Sequence, residues 1–218
     1  MMGGNVATNF KPMNAKALYE KYTPKNGIIY DFSSGFGGRM LGALSSDNNY
    51  TYIGTEPNTE SYKNLLNLGK YIEDVTGRIN SFDLRCQGSE DVDLVDNSID
   101  FAFSSPPYFT LEKYCNEDTQ CYIKYPTLEE WFDGYVKPTI ENIHNSLKRG
   151  RYYAVNIADF KIGSDQIWFV DRWIEISRSV GFDFIKKISM KLQTRRGNGH
   201  SKLNKRTKQE GIFLFKKD

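Results

Sequence analysis

Along the chain, short apolar runs alternate with stretches in which apolar and polar residues mix, a pattern that predicts strands and helices in turn. Positions 27–32 form the first apolar run, the glycine-rich turn 33–38 ends it, and a helix begins at 39–44. Positions 50–54 form the next apolar run. Strand, turn, helix and strand in this order predict a βαβ unit, whose two strands lie parallel.

Two long helices are predicted from their capping residues. The first covers 59–68, with its threonine as the N-cap and Gly69 as the residue that ends it. The second covers about 127–149, begins with the spacing of a capping box and is kinked at Pro138.

The remaining elements continue the alternation. Further strands are predicted at 79–86, 98–104 and 151–157, a helix at 165–180, and two last apolar runs at 182–192 and 211–215. The run 98–104 is mostly apolar, as in a strand buried on both faces. The segment between the last two runs has no helical pattern, which predicts that they form an antiparallel hairpin at the sheet edge.

Strands that alternate with helices over the whole chain predict an α/β fold, with a doubly wound and mostly parallel sheet between layers of helices. The 218 residues contain no linker rich in proline or serine and no internal repeat, so we expect one domain over 1–218. In such sheets ligands bind at the carboxyl ends of the strands. Functional residues are therefore expected in the turns that follow the strands.

Composition narrows the class of protein. Apolar residues make up 39% of the chain and aromatic residues 14%, which supports a packed core and is unlike a disordered segment. No apolar run reaches the ~18 residues of a membrane span, and no signal-peptide pattern occurs, so we expect a cytoplasmic protein without membrane contact. The cysteines Cys86, Cys115 and Cys121 are widely spaced without a histidine cluster, which favours neither a disulfide framework nor a metal site.

The charge is distributed unevenly along the chain. The net charge is +2, but residues 186–208 contain nine lysines or arginines and no acid, so the rest of the chain is net acidic. A basic patch on an acidic globule is typical of a surface that binds nucleic acid, and a solvated charged loop is the alternative. The candidates for phosphate contact are Arg195, Arg196, Lys202, Lys205 and Arg206.

The glycine-rich turn 33–38 is the first candidate site, because its glycines let a ligand approach the backbone and the next helix offers free amides. The turn is not a clean dinucleotide fingerprint, which argues against an oxidoreductase, and it lacks the lysine of a phosphate-binding loop. Glu56 lies 21 residues after Gly35, at the end of the next strand. A carboxylate at that place accepts hydrogen bonds from ribose hydroxyls, so the pair predicts an adenosine-containing ligand.

The most specific motif is Ser105-Pro106-Pro107-Tyr108, directly after the buried run 98–104. Two successive prolines end the strand and fix the backbone, so that a polar side chain and an aromatic ring face the cleft. Here the sequence resembles the amino-methyltransferases of DNA, whose hallmark is Asp/Asn/Ser-Pro-Pro-Tyr/Phe, along nearly the whole chain. The resemblance implies a seven-stranded Rossmann-like methyltransferase sheet and S-adenosylmethionine as cofactor.

The resemblance also assigns cofactor contacts. Asn9-Phe10-Lys11-Pro12 is similar to the amino-terminal cofactor motif of the family, which implies that Phe10 lies near the methionine part. Ser89 matches a position that touches the adenine, where the family commonly has Asp. The implied cofactor-binding residues are Phe10, Asp31, Phe32, Ser33, Ser34, Gly35, Gly37, Glu56, Pro57, Ser89 and Ser105.

The reaction implied by the resemblance is methyl transfer to the exocyclic amine of a DNA base, cytosine N4 or adenine N6. The lone pair of such an amine is delocalised into the ring, and hydrogen bonds from the amine to the Ser105 hydroxyl and the Pro106 carbonyl direct it toward the methyl donor. The target base must leave the duplex to reach these groups, and we expect Tyr108 to stack on it. Ser105, Pro106, Pro107 and Tyr108 are the predicted catalytic residues.

The small size, the pair Trp131-Phe132 and the segment 147–150 resemble the compact DNA methylases of phages and mobile elements. This resemblance implies a bacterial or phage-infected cell. We expect no separate target-recognition domain, so sequence selectivity comes from short loops, comes from a protein partner, or is low.

Two other functions share parts of this pattern. Amino-methyltransferases of RNA or of protein glutamine use Asn-Pro-Pro-Tyr on the same scaffold, and Ser105 favours DNA over them. A methyltransferase-like subunit that binds nucleic acid without catalysis is the other alternative, and the retained cofactor and catalytic motifs argue against it.

The basic segment generates a prediction about salt. Neutralising Arg195 and Arg196 together should weaken DNA binding and flatten its dependence on salt concentration, because fewer phosphates are then neutralised. Binding titrations at several salt concentrations measure the slope. A slope unchanged from that of the unsubstituted protein would make the segment a solvated loop.

Overall fold

Nine strands build two sheets in the computed structural model, which describes residues 9–111, 113–189 and 211–218. The strands are β1 (Ile28–Asp31), β2 (Thr51–Thr55), β3 (Phe82–Arg85), β4 (Ile99–Ser104), β5 (Leu147–Ile157), β6 (Phe160–Ile162), β7 (Asp165–Ile167), β8 (Phe182–Ser189) and β9 (Gly211–Lys217). Strands β6 and β7 pair with each other, and the other seven form the main sheet in the order β3-β2-β1-β4-β5-β9-β8.

The main sheet is parallel from β3 to β5, and β9 then runs antiparallel between β5 and β8. This confirms the predicted fold class, a doubly wound and mostly parallel sheet with an antiparallel carboxyl-terminal hairpin. All five parallel strands end at one edge, which gathers the turns that follow them.

Helices cover both faces of the sheet. They are α1 (Pro12–Tyr22), α2 (Gly38–Leu44), α3 (Thr59–Thr76), α4 (Cys121–Lys124), α5 (Leu128–Trp131), α6 (Lys137–Ser146) and α7 (Phe169–Val180). None of the helices in the described part of the chain is both long and apolar enough to cross a membrane.

Two apolar layers hold the helices to the sheet. Phe101 and Phe103 of β4 pack with Tyr19 of α1 and Met40 of α2 on one face. On the other face, buried residues of the main sheet pack with α5, α6 and α7, and Trp173 is fully buried there. The alternation of side chains along each strand thus fills both layers.

The predicted end of α3 is wrong. The helix passes through Gly69 and ends at Gly77, whose φ of 68° is the left-handed conformation of a glycine cap. Gly69 is instead a packing position, because a Cβ there would lie 2.6 Å from the Phe82 ring. The N-cap is also one residue earlier than predicted, since the side chain of Asn58 accepts a hydrogen bond from the Ser61 amide at 2.9 Å.

One helix is missing from the sequence predictions, and two further boundaries differ from them. Helix α1 was not predicted at all. Helix α6 ends at Ser146, so positions 147–149 belong to β5, where a bulge around Gly150 interrupts the pairing with β4. Helix α7 begins at Phe169, because positions 165–167 form a strand of the β6–β7 hairpin. Tertiary pairing overrides the local helical pattern at both places.

The predicted helix over 127–149 is confirmed in part, with a capping box at Thr127 and a wide π turn at Phe132–Val136. The π turn ends two residues before Pro138, at which we predicted a kink. Proline has no amide hydrogen and its ring clashes with the carbonyl four residues earlier, here that of Gly134. The widened turn is how this helix accommodates the proline.

Candidate active site

The carboxylate of Asp31, at the end of β1, joins four elements of the fold. Arg39 Nε of α2 and the Tyr52 hydroxyl of β2 both donate to its Oδ2, each at 2.8 Å. The Ser104 hydroxyl of β4 donates to Oδ1 at 2.7 Å. Asp31 is fully buried and Arg39 is 6% exposed, so this is a buried ion pair supported by hydroxyl groups.

The glycine-rich turn lies directly above this carboxylate. Arg39 also donates to the Ser33 carbonyl, and the Ser34 amide donates to the Thr55 carbonyl at 2.9 Å. Gly35 and Gly37 have φ values of 54° and 79°, which residues other than glycine rarely adopt. The turn is therefore held in one shape by groups of β1, β2 and α2.

Glu56 closes the turn from the end of β2. Its carboxylate accepts hydrogen bonds from the Gly35 amide at 2.9 Å and from the Asn58 amide at 3.0 Å. Burial raises the pKa of Glu56 to about 7, although both amides act in the opposite direction. The carboxyl group thus changes its charge near neutral pH.

The predicted amino-terminal motif packs against the start of α2. The Asn9 side chain accepts a hydrogen bond from the Gly38 amide at 3.1 Å, and a Cβ at Gly38 would lie 2.1 Å from the Phe10 carbonyl oxygen. The Phe10 ring lies 5.1 Å from that of Phe103 and is 9% exposed. The motif therefore reaches the same edge of the sheet as the glycine-rich turn.

After β3, the side chains of Ser89 and Glu90 have different surroundings. The Ser89 hydroxyl is buried and lies 2.8 Å from the Thr139 hydroxyl of α6. Glu90 receives a hydrogen bond from the Lys124 ammonium group at 2.7 Å, while its Oε2 is buried without a partner in the described residues. Burial raises the pKa of Glu90. Glu90 is thus the better-placed acceptor for a ligand.

The motif at 105–108 follows β4, beside the glycine-rich turn. Asn156 of β5 donates from its side chain to the Ser105 hydroxyl at 3.2 Å. The Tyr108 hydroxyl accepts a hydrogen bond from the Ala158 amide at 3.0 Å, and its ring contacts those of Phe160 and Phe169 edge-on, each at 5.6 Å between centroids. Both polar ends of the motif are therefore fixed by β5 and the residues that follow it.

The segment 113–124 spans the ends of β2 and β3. The Glu117 carboxylate accepts from the Thr59 amide at 3.1 Å, and the Thr119 hydroxyl donates to the Pro57 carbonyl at 3.0 Å. Lys124 then meets Glu90 at the other end. This segment covers the edge between the predicted ribose and adenine positions.

Most of the predicted site residues come together at this edge. The exception in the core is Phe32, which is buried against Trp173 with 6.4 Å between ring centroids. The Ser33 hydroxyl lies 3.2 Å from that of Tyr135, a residue of the π turn. The predicted phosphate contacts lie outside the described residues: Arg195, Arg196, Lys202, Lys205 and Arg206.

Sequence reasoning missed several residues that build the site. Arg39 is a charged residue at the start of an otherwise apolar helix, which was a usable signal for a buried ion pair. Glu90 is the acid directly after Ser89, the position for which we expected an adenine contact. The partners Tyr135, Thr139 and Asn156 had no local signal, because only the folded chain brings them to the edge.

Comparison with known proteins rests on structure alone. No family model and no curated sequence matches the chain. The fold resembles that of a TehB-like S-adenosylmethionine-dependent methyltransferase of Corynebacterium glutamicum, with a TM-score of 0.58, 12% identity, and coverage of 97% of this chain and 90% of that one. The chain has the fold of S-adenosylmethionine-dependent methyltransferases.

Two other solved structures show how widely this fold is used. The cyclase SpnF gives a TM-score of 0.56 at 16% identity and covers 81% of this chain. An N-methyltransferase of Haemonchus contortus, solved with phosphomonomethylethanolamine and S-adenosylhomocysteine, gives 0.53 at 15% identity and also covers 81%. The chain spans 60% of the length of the cyclase and 38% of that methyltransferase. Function must therefore be argued from the site.

The Asp31 cluster predicts a large stability difference. Asp31→Asn should lower the free energy of unfolding by about 3–5 kcal/mol, because it leaves the buried Arg39 charge without its partner. Urea denaturation measures the change.

Asp83→Asn is the matched control, since it breaks the exposed ion pair with Arg85 at 3.2 Å. We expect a loss of about 1 kcal/mol or less for this variant. Equal losses of unfolding free energy for the two variants would show that the Asp31–Arg39 ion pair stabilises the fold no more than an exposed ion pair does.

Proposed function

We propose that this protein transfers a methyl group from S-adenosylmethionine to the exocyclic amine of a DNA base, cytosine N4 or adenine N6. One observation carries the proposal. The turn 105–108 begins directly after Ser104, whose hydroxyl group donates a hydrogen bond to Asp31 beneath the glycine-rich turn. A ligand on the glycine-rich turn therefore lies beside the groups suited to hold an amine.

The residues at this edge fit an adenosine. Glu56 uses two acceptor positions on the Gly35 and Asn58 amides, and a carboxylate has about four, which leaves acceptors for ribose hydroxyls. Glu90 Oε2, buried without a partner in the described residues, suits the amine of an adenine. When bound, S-adenosylmethionine supplies an electrophilic methyl group.

The turn after β4 supplies groups for the target amine. A hydroxyl oxygen has two lone pairs, and Asn156 occupies one on Ser105, so the other accepts from the amine. The Pro106 carbonyl is the second acceptor in this proposal. Hydrogen bonds from both amine hydrogens orient the nitrogen lone pair toward the methyl group, which lowers the barrier by positioning.

Tyr108 is proposed to stack on the target base. Its hydroxyl group and its ring are held by Ala158, Phe160 and Phe169, so the ring loses little freedom when a base binds. A base taken out of the duplex gains a stacking surface beside the acceptors of Ser105 and Pro106. The side chain is partly exposed, as such a role requires.

DNA is the proposed target for two reasons. The first residue of the motif is Ser105, and the basic segment 186–208 suits a polyanion. Sequence selectivity is proposed to come from loops of this chain or from a protein partner.

A product analysis tests the proposal. The protein is incubated with labelled S-adenosylmethionine and DNA, RNA or peptide separately, and the products are digested and identified by mass spectrometry. We expect the label in N4-methylcytosine or N6-methyladenine of the DNA. Ser105→Ala should lower turnover about a hundredfold or more, while Ser179→Ala, at an exposed position of α7, should leave turnover unchanged. Label in RNA or glutamine, or in none of the three, contradicts the proposal.

Glu56 generates a prediction about pH. Because its pKa is about 7, the Glu56 carboxyl group of the free protein is mostly protonated below pH 7. A protonated carboxyl group has lost one acceptor for the ribose hydroxyls. Affinity for S-adenosylmethionine should therefore rise about tenfold from pH 6 to pH 8. Calorimetric titration measures it.

Two variants separate this carboxyl group from other titrating groups. Glu56→Gln should bind the cofactor more weakly and with a nearly flat pH profile. Glu175→Gln, at an exposed acid of α7, should keep the profile of the unsubstituted protein. A pH dependence that survives in Glu56→Gln would assign it to another residue.

A further inference from the structure

The β6–β7 hairpin lies beside the catalytic turn. It follows the end of β5 directly, forms a two-stranded sheet of its own, and turns at Gly163, whose φ is 60°. Positions 163–166 are exposed at its tip. Phe160 is 7% exposed and its ring centroid lies 5.6 Å from that of Tyr108, so the base of the hairpin is fixed relative to the proposed target site.

Trp168 ends the hairpin and is 62% exposed. The two other tryptophans of the chain, Trp131 and Trp173, are fully buried. The next residue, Phe169, is buried and its ring contacts that of Tyr108 at 5.6 Å. An exposed indole group therefore lies one residue from the packing that holds the proposed base-stacking ring.

We propose that Trp168 and the β6–β7 hairpin bind the DNA strand next to the target base, with a neighbouring base stacked on the indole ring. This inference rests on the proposed function and names the part of the chain that contacts its substrate. The proposed cofactor groups lie on β1, β2 and β3, whereas the hairpin continues from β5 on the other side of the catalytic turn. In this proposal, a DNA strand whose target base enters the turn 105–108 runs on the side of the β6–β7 hairpin, away from the cofactor groups.

The charges of the hairpin fit stacking better than phosphate binding. Lys161 is its one base, and Asp159 and Asp165 flank it with two acids. Phosphate contacts make binding salt-dependent, whereas base stacking on an aromatic ring is largely independent of salt. Loss of Trp168 should thus weaken binding equally at all salt concentrations, unlike neutralisation of the basic segment.

Tryptophan fluorescence tests the contact directly. Since the other two indole rings are buried, acrylamide quenching in the free protein reports mainly on Trp168. Single-stranded DNA should lower the emission and protect it from acrylamide. Unchanged emission and quenching in the DNA complex would overturn the inference, and so would a response to RNA of the same sequence but not to DNA.

Affinity measurements on variants give the second test. Trp168→Ala should weaken DNA binding between about 5- and 150-fold, the range that one stacked base supplies, and Trp168→Phe should weaken it less. Affinity for S-adenosylmethionine should not change. The matched control is Tyr71→Ala, an exposed aromatic residue of α3 with 66% of its surface exposed, and it should bind DNA normally.

The outcomes separate this inference from the proposed function. DNA binding by the unsubstituted protein together with equal binding by Trp168→Ala would overturn the role of the hairpin and leave the methyltransferase proposal standing. A protein that binds S-adenosylmethionine but no DNA would overturn the proposed target, and the hairpin contact with it.

Discussion

The buried ion pair between Asp31 and Arg39 is the interaction on which the arrangement of the candidate site depends. Burying two charges costs free energy, and this cost is offset only when the charges meet in good geometry and further hydrogen bonds satisfy the remaining lone pairs. Tyr52 and Ser104 supply those bonds. The cluster therefore ties β1, β2, β4 and α2 together at one point, directly beneath the glycine-rich turn.

From this point the carboxyl edge of the sheet divides into two halves. The turns after β1, β2 and β3 present backbone amides and the two acids Glu56 and Glu90, which suit a ligand with hydroxyl and amine groups. The turns after β4 and β5 present aromatic rings and the Ser105 hydroxyl. Ser104 lies at the end of β4 and donates a hydrogen bond to Asp31 of β1, so it joins the two halves. A ligand on one half therefore lies close to a ligand on the other.

The sequence predicted those parts of the fold that carry a local signal. Apolar runs that end in glycine or proline located the strands and both candidate turns, since buried strands and tight turns restrict residue types strongly. Boundaries set by tertiary contacts were not predictable in this way. In the sequence Gly69 resembles a residue that ends a helix, but in the structure it lies inside α3 and packs against Phe82. Positions 165–167 have a helical pattern in the sequence, but in the structure they pair with β6.

The candidate site shows the same division. Glu56 was predicted because it ends a strand 21 residues after Gly35, and the motif at 105–108 because two successive prolines follow an apolar strand. Glu90, Tyr135 and Asn156 acquire their roles only through partners distant in the chain, such as Lys124 and Ser33. Residue type alone does not identify such positions.

The π turn at Phe132–Val136 sets the rotational phase of α6. A π turn holds one more residue than an α turn, and one residue rotates a helix by about 100°. Thr139 and Asn142 contact Ser89 and the backbone at Glu90, and they face this turn after β3 only with that extra residue in place. Deleting a single residue from this turn would leave every side chain of α6 unchanged in identity and would turn the helix away from the edge that it now buttresses.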